Sequence, residues 1–195
     1  MLYQRQIIAY HGCLRERFDA VLLEGQDPPQ SDEPFDWLGR GIYFWEHGPR
    51  RAKEWAEAKA RREGRPLEDA RVLGAIIQLG HCLDFLDTEA TALLEDAWTY
   101  ARALYAFADG SLPENSPASN SGDVLLRHRD CLVVNTAARV LEESGRPVQS
   151  VRGCFYEGGS AFPGGEIQKK SHIQVAVRDP SCIIGYFVPR GPEAP

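Results

Sequence analysis

At 195 residues the chain is long enough to bury a core without disulfide or metal staples, and its 43% hydrophobic content excludes global disorder. A net charge of -6 and a pI of about 5.4 exclude a uniformly basic nucleic-acid binder but leave room for a local basic face. Five cysteines without a CxxC pair exclude a zinc knuckle and a disulfide framework, and with neither a leader pattern nor an apolar run of membrane length the expected compartment is the cytoplasm.

In chain order, residues 7–10 read as a short apolar strand that ends on His11 and Gly12. Residues 15–23 suit a helical turn or two, with Phe18 and Leu22 four apart. Residues 25–34 carry Pro28, Pro29 and Pro34, so a loop free to move is expected. Asp36-Trp37-Leu38 leads into the turn Gly39-Arg40-Gly41, where glycine lets the backbone reverse or approach a ligand closely. Ile42-Tyr43-Phe44-Trp45 follows as a buried strand. Pro49 suits the first turn of the next helix, whose Ala52, Trp55 and Ala56 are predicted to face the sheet. From Arg50 to Arg65 seven Arg or Lys stand against three Glu. That stripe reads either as a solvated face laced with i,i+4 pairs or as a landing surface for a phosphate-bearing target, with Arg50, Arg51 and Lys53 as the target-binding candidates.

Residues 72–79 form the clearest buried strand, Gly80-His81 a tight connection, and 82–86 a second short strand. Thr88 is expected to cap a helix reaching about residue 108, with Trp98 and Tyr105 in its core stripe. A single domain is expected over 1–190, with a flexible Gly-, Ser-, Asn- and Pro-rich loop near 109–123 and a polar tail at 191–195. A helix over 130–143, a strand within 148–156, a Gly-rich bend over 158–165 and strands at 172–177 and 182–188 complete the chain. About seven short strands and three main helices make a mixed α+β domain.

The residues able to carry chemistry stand at strand ends. Tyr10-His11-Gly12 and Gly41-Ile42-Tyr43 place rings beside glycines, which suits a flat ligand held between backbone and an aromatic face. Glu157 lies between an apolar strand and Gly158-Gly159, and Glu166 follows Gly164-Gly165. Period two puts His172 and Gln174 on one face of their strand. Cys13, two residues after His11, shares a strand face with it without completing a nucleophilic triad. HxH, HExxH, zinc-deaminase, Gly-x-Ser-x-Gly, GxGxxG and P-loop patterns are absent, so no metal is expected and no familiar nucleotide loop either.

His11-Gly12, taken with Leu38-Gly39-Arg40-Gly41-Ile42-Tyr43-Phe44-Trp45, resembles the first two motifs of the ADP-ribosyltransferase superfamily. The likeness is to the His–Tyr branch shared with poly(ADP-ribose) polymerases and diphtheria-like toxins. Ala52 and Trp55-Ala56 resemble the helix after the tyrosine motif, and residues 171–178 resemble the C-terminal strand of bacterial ADP-ribosyltransferase-like proteins. The resemblance implies a split mixed or antiparallel sheet, NAD as the substrate, and release of nicotinamide as ADP-ribose passes to a protein or nucleic-acid acceptor. A toxin or phage-defence role is what such bacterial relatives suggest.

By the same resemblance His11 would hydrogen-bond the nicotinamide-side ribose, Gly12 would offer its backbone to the carboxamide, and Tyr43 would stack on the nicotinamide, with Tyr10 and Gly41 beside them. The family's third motif carries a glutamate on the ribose 2′-hydroxyl. Here the matching position is Gln174, with His172 two residues before it, where a target-positioning residue often stands. Glutamine brings no negative charge to the positive charge developing on the ribose, so Glu157, and after it Glu166, are the acids expected to act. An NAD glycohydrolase, an RNA 2′-phosphotransferase-like enzyme using Arg40, Lys169 and Lys170, and an inactive module binding ADP-ribose or nucleic acid are the alternatives.

Overall fold

The structure, a computed structural model, describes residues 2–108, 110–118 and 123–190. It is a mixed α+β fold of β1 (Leu2–Leu14), α1 (Arg15–Glu24), β2 (Ile42–Glu46), α2 (Pro49–Arg62), β3 (Ala70–Asp84), α3 (Thr88–Phe107), α4 (His128–Glu143), β4 (Ser150–Phe155), β5 (His172–Val177) and β6 (Ile183–Phe187). The described part therefore has six strands, one fewer than expected, and four helices: the three main ones expected and α1, where a helical turn or two was expected. Most of the predicted 109–123 loop is described and lacks helix or strand, apart from a Ser116–Leu126 bridge. Residues 109, 119–122 and the 191–195 tail lie outside the described residues.

The strands close into a ring. β1 pairs antiparallel with β3 along almost its whole length, but with β2 only at Ala9–Glu46 and Tyr10–Trp45. β2 pairs antiparallel with β5 and β5 with β4. β4 then runs parallel to the end of β3, from Cys82–Ser150 to Asp84–Arg152, while β6 pairs with an earlier part of β3. The two short strands expected at 72–79 and 82–86 are thus one. Gly80, at φ +61°, carries β3 through the change of partner, and His81 is an exposed strand residue rather than part of a tight connection.

Inward-facing residues follow the period of two. Ile7 and Ala9, Ile42 and Phe44, Ala75, Ile77 and Leu79, and Val175 and Val177 meet as one apolar cluster inside the ring. A second cluster joins α3 and α4 to the outer face of β4 and β5 through Ala97, Val134, Leu141, Val151 and Ala176. Arg152 sits among buried groups between Glu46 and Asp84. Its Nε and Nη2 donate to the Glu46 carboxylate at 2.6 and 3.1 Å, and its Nη1 to both Asp84 oxygens at 3.1 and 2.9 Å. The carboxylates compensate its burial and hold it charged.

α2 lies so close to β1 that a Cβ on Gly12 would stand 2.1 Å from the Ala52 carbonyl oxygen. Ala52, Ala56 and Ala60 make that contact, whereas Trp55, expected to face the sheet, is 39% exposed. α3 is capped by Asp87, which accepts from the Glu89 N–H, one residue before the expected Thr88. It buries Ala90, Ala97 and Ala101, while Trp98 and Tyr105 are only half-buried. The Trp98 ring instead lies 5.9 and 5.4 Å from the guanidinium carbons of Arg102 and Arg129.

Residues 25–34 are strapped down rather than loose. Ser31 and Gly41 exchange backbone hydrogen bonds at 2.8 and 3.0 Å, Gln30 donates to the Arg178 carbonyl, and Tyr186 donates to Asp27. Among the described residues no helix is long and apolar enough to cross a membrane.

Candidate functional site

After Tyr10–Trp45 the pairing of β1 with β2 stops, and a side chain takes over where the ladder ends. His11 Nδ1 lies 2.8 Å from the Tyr43 carbonyl, which can only accept, so Nδ1 carries the proton and Nε2 is left as an acceptor. Burial depresses the His11 pKa, and the nearby Lys59 and Arg17 depress it further, so the ring is neutral at neutral pH.

Beyond this split the outer face of β2, β5 and β4 is open. Register and alternation place Tyr43 and Trp45, then His172 and Gln174, then Phe155 on that face. Together with α2, α1 and the strapped 26–36 segment they wall a cleft of about 1200 Å³. That exceeds the roughly 300–1,000 Å³ typical of a small-ligand pocket and gives room for a dinucleotide-sized molecule.

His11, Gly12, Tyr43, Glu157, His172 and Gln174, widely separated in the chain, all line this one cleft. Tyr43 does so with its ring. Its hydroxyl donates to the Gly39 carbonyl at 2.8 Å and accepts from the Leu38 N–H at 3.0 Å, while burial lifts its pKa well above the ordinary tyrosine value. The Tyr43 hydroxyl is thus engaged within the 38–43 turn. Glu157 is paired with Arg51, which also pairs with Glu54. Burial raises the Glu157 pKa against the opposing pull of Arg51 and Lys170, leaving a desolvated carboxylate at the cleft wall.

His172 Nδ1 donates to the Lys170 carbonyl at 2.6 Å, and burial takes its pKa down to about 4. Its ring stacks on Phe155 at 5.5 Å. His172 Nε2, Trp45 Nε1 and Arg51 Nε are buried polar atoms without a partner among the described residues, and all three side chains belong to the cleft wall. Unpaired buried polar atoms are costly, and their gathering on one wall fits a surface that a polar ligand completes.

Several expected site residues lie elsewhere. Glu166 is exposed on the 158–170 bend, outside the cleft lining. Tyr10 points to the opposite side of β1 from His11 and packs with Trp45, Val72 and Phe187. Gly41 is buried against β5, where a Cβ would meet the Val177 carbonyl at 3.0 Å, and it too is outside the cleft. Of the target-binding trio only Arg51 reaches the cleft, and Arg50 and Lys53 do not. Much of the basic stripe is neutralised locally by Lys59–Glu63, Arg61–Glu57 and Arg65 with Glu16 and Asp69. Cys13 lines the cleft with its thiol pKa pushed up to about 12, which removes a thiolate from consideration.

Comparison with protein-family models, with curated proteins and with solved structures finds no match. The site must therefore be read from its own geometry.

Two features escaped the sequence reading. Trp37 enters the cleft and donates from Nε1 to Gln174 Oε1 at 2.6 Å, and Asp36 beside it lines the cleft with its pKa raised by burial. Their one sequence signal was a tryptophan next to the Gly39 turn. Gly153 on β4 makes the space, since a Cβ there would lie 2.8 Å from the Trp37 ring.

Proposed function

We propose that this cleft binds NAD and that the protein transfers ADP-ribose to a macromolecular acceptor with release of nicotinamide. The observation that carries the reading is the convergence of His11, Tyr43, Glu157, His172 and Gln174 on one cleft of dinucleotide size. The ADP-ribosyltransferase resemblance assigns His11 and Tyr43 to NAD and puts Gln174 where the family has its glutamate, with Glu157 as the acid that would stand in for it.

In this reading His11 Nε2 accepts a hydrogen bond from a ribose hydroxyl, the Tyr43 ring covers the nicotinamide, and the cleft wall excludes water from the reacting carbon. The C1′–N bond breaks with both electrons going to the nicotinamide nitrogen, which leaves neutral. The acceptor's nucleophile forms the new bond to C1′, and its proton passes to the Glu157 carboxylate. Glu157 also offsets the positive charge developing on the ribose, the task that uncharged Gln174 cannot perform. Arg51 holds Glu157 in place and opposes the rise that burial gives its pKa.

The test is incubation with adenine-labelled NAD and a cell lysate divided into protein, RNA and DNA fractions. Label in one fraction, lost with Tyr43→Ala, is the expected result and names the acceptor class. Label recovered only as free ADP-ribose makes the protein a glycohydrolase. Intact NAD in every fraction contradicts the reading.

A further inference from the structure

Gln174 occupies the middle strand of the cleft face, opposite Trp45 on β2 and Gly153 on β4. A glutamine is ambidextrous: its oxygen accepts and its nitrogen donates, and which end faces a ligand decides what it recognises. Ordinarily the two ends are hard to assign. Here the neighbour decides. An indole Nε1–H only donates, and it lies 2.6 Å from the Gln174 side-chain oxygen. Turning the amide over would set two N–H groups against each other at that distance. The Gln174 nitrogen is then the end left over, with no partner among the described residues, on a side chain that lines the cleft.

Trp37 is itself held from several sides. Its ring meets Phe155 edge-on at 5.0 Å, lies under the Arg127 guanidinium at 6.0 Å, and fits over Gly153 where no other residue leaves space. The same short turn carries the Leu38 N–H and the Gly39 carbonyl that fix the Tyr43 hydroxyl. One turn thus sets both the ring of Tyr43 and the amide of Gln174.

We propose that Trp37 is a positioning residue that locks the Gln174 amide with its NH2 toward the cleft, so that Gln174 recognises a hydrogen-bond acceptor on the ligand. The ligand arm of the argument rests on the NAD reading above; the orientation of the amide does not. A donor at this position pairs with an ether, carbonyl, phosphate or hydroxyl oxygen lone pair. A carboxylate there would do the reverse and take a hydroxyl proton, so the polarity of this single position separates the site from one built with an acid.

The test uses the full chain labelled with 15N. The Gln174 side-chain NH2 pair is assigned by its loss in Gln174→Ala, and the Trp37 indole N–H by its loss in Trp37→Phe, which keeps an aromatic ring. Without ligand, Gln174→Ala is expected to move the indole proton upfield as its hydrogen bond disappears, and Trp37→Phe to move the Gln174 NH2 pair. An indole resonance unmoved by Gln174→Ala overturns the proposal. With NAD added to wild type, the Gln174 NH2 pair shifts. Trp37→Phe and Gln174→Ala each weaken NAD binding about tenfold, and the double variant is no worse than either single one. Losses that multiply in the double variant overturn the positioning role. If wild type does not bind NAD while the ligand-free reciprocal shifts are seen, the locked amide stands and the NAD reading falls.

Discussion

At the scale of single residues the cleft sets charge against burial. Glu157 has a raised pKa because it is desolvated, with Arg51 and Lys170 pulling the other way. A group whose folded pKa lies above its unfolded value contributes stability that is complete below the unfolded value and is lost as pH rises through the folded one. Ionised Glu157 is therefore held at a cost to stability at neutral pH. Two results follow for a pH series of wild type and Glu157→Gln. Nicotinamide release by wild type falls as pH drops through a midpoint above the ordinary glutamate value of 4.5. Glu157→Gln melts no lower than wild type at pH 7. Arg152 presents the opposite case, a buried cation between two buried carboxylates. Among the described residues, Arg152→Met leaves Asp84 without its cation and Glu46 with only the part-exposed Arg5 at 3.5 Å, and should cost about 3–5 kcal/mol in denaturant unfolding, with no direct effect on the cleft.

At the scale of elements, close approach of α2 to β1 aligns Arg51 with Glu157. Gly12→Ala forces its Cβ against the Ala52 carbonyl, and the backbone there cannot swing aside as a side-chain tip would. The expected cost is about 1–3 kcal/mol, read as a lower melting temperature, accompanied by weaker NAD binding as α2 moves. The same element shows what the sequence conveys and what it hides. The spacing of Ala52, Trp55 and Ala56 made the helix legible, yet it could not tell that a seam of Ala52, Ala56 and Ala60 would leave Trp55 over the cleft. β5 was read to its ends, since polar and apolar residues alternate from His172 to Val175 and an apolar run closes it at Val177. β3 was cut in two because Gly80 resembles a turn when the partner strand that carries the ladder past it is out of view. His11, Tyr43, Glu157, His172 and Gln174, candidates picked out at strand ends near glycines or on one strand face, line the cleft, whereas Glu166, Tyr10 and Gly41 do not. Trp37 and the Arg152 network were not legible, because their partners lie 137 residues away for Trp37, and 106 and 68 for Arg152, where only the register brings them together.

At the scale of the molecule, a closed ring splits where β1 leaves β2, and the opening supplies both a neutral imidazole and an aromatic wall. The ring's interior holds the apolar core, while Trp45 and His172 on the outer face of β2 and β5, with Arg51 on α2, carry the buried polar atoms that lack partners among the described residues. The basic stripe on α2 is spent largely in local ion pairs, so the whole-molecule field does not favour broad nucleic-acid binding, in keeping with the net charge of -6. In the proposed function Glu157 and the cleft around it cleave NAD. The most direct measurement is the rate of nicotinamide release from NAD by purified protein, comparing wild type with Glu157→Gln at pH 7 and confirming that both are folded. Release by wild type is expected, with a loss of about a hundredfold or more in the variant, the scale of removing a charge-stabilising group from a transition state. Equal release by the two proteins would take Glu157 out of the chemistry, and no release from folded wild type would contradict the NAD-cleaving function itself.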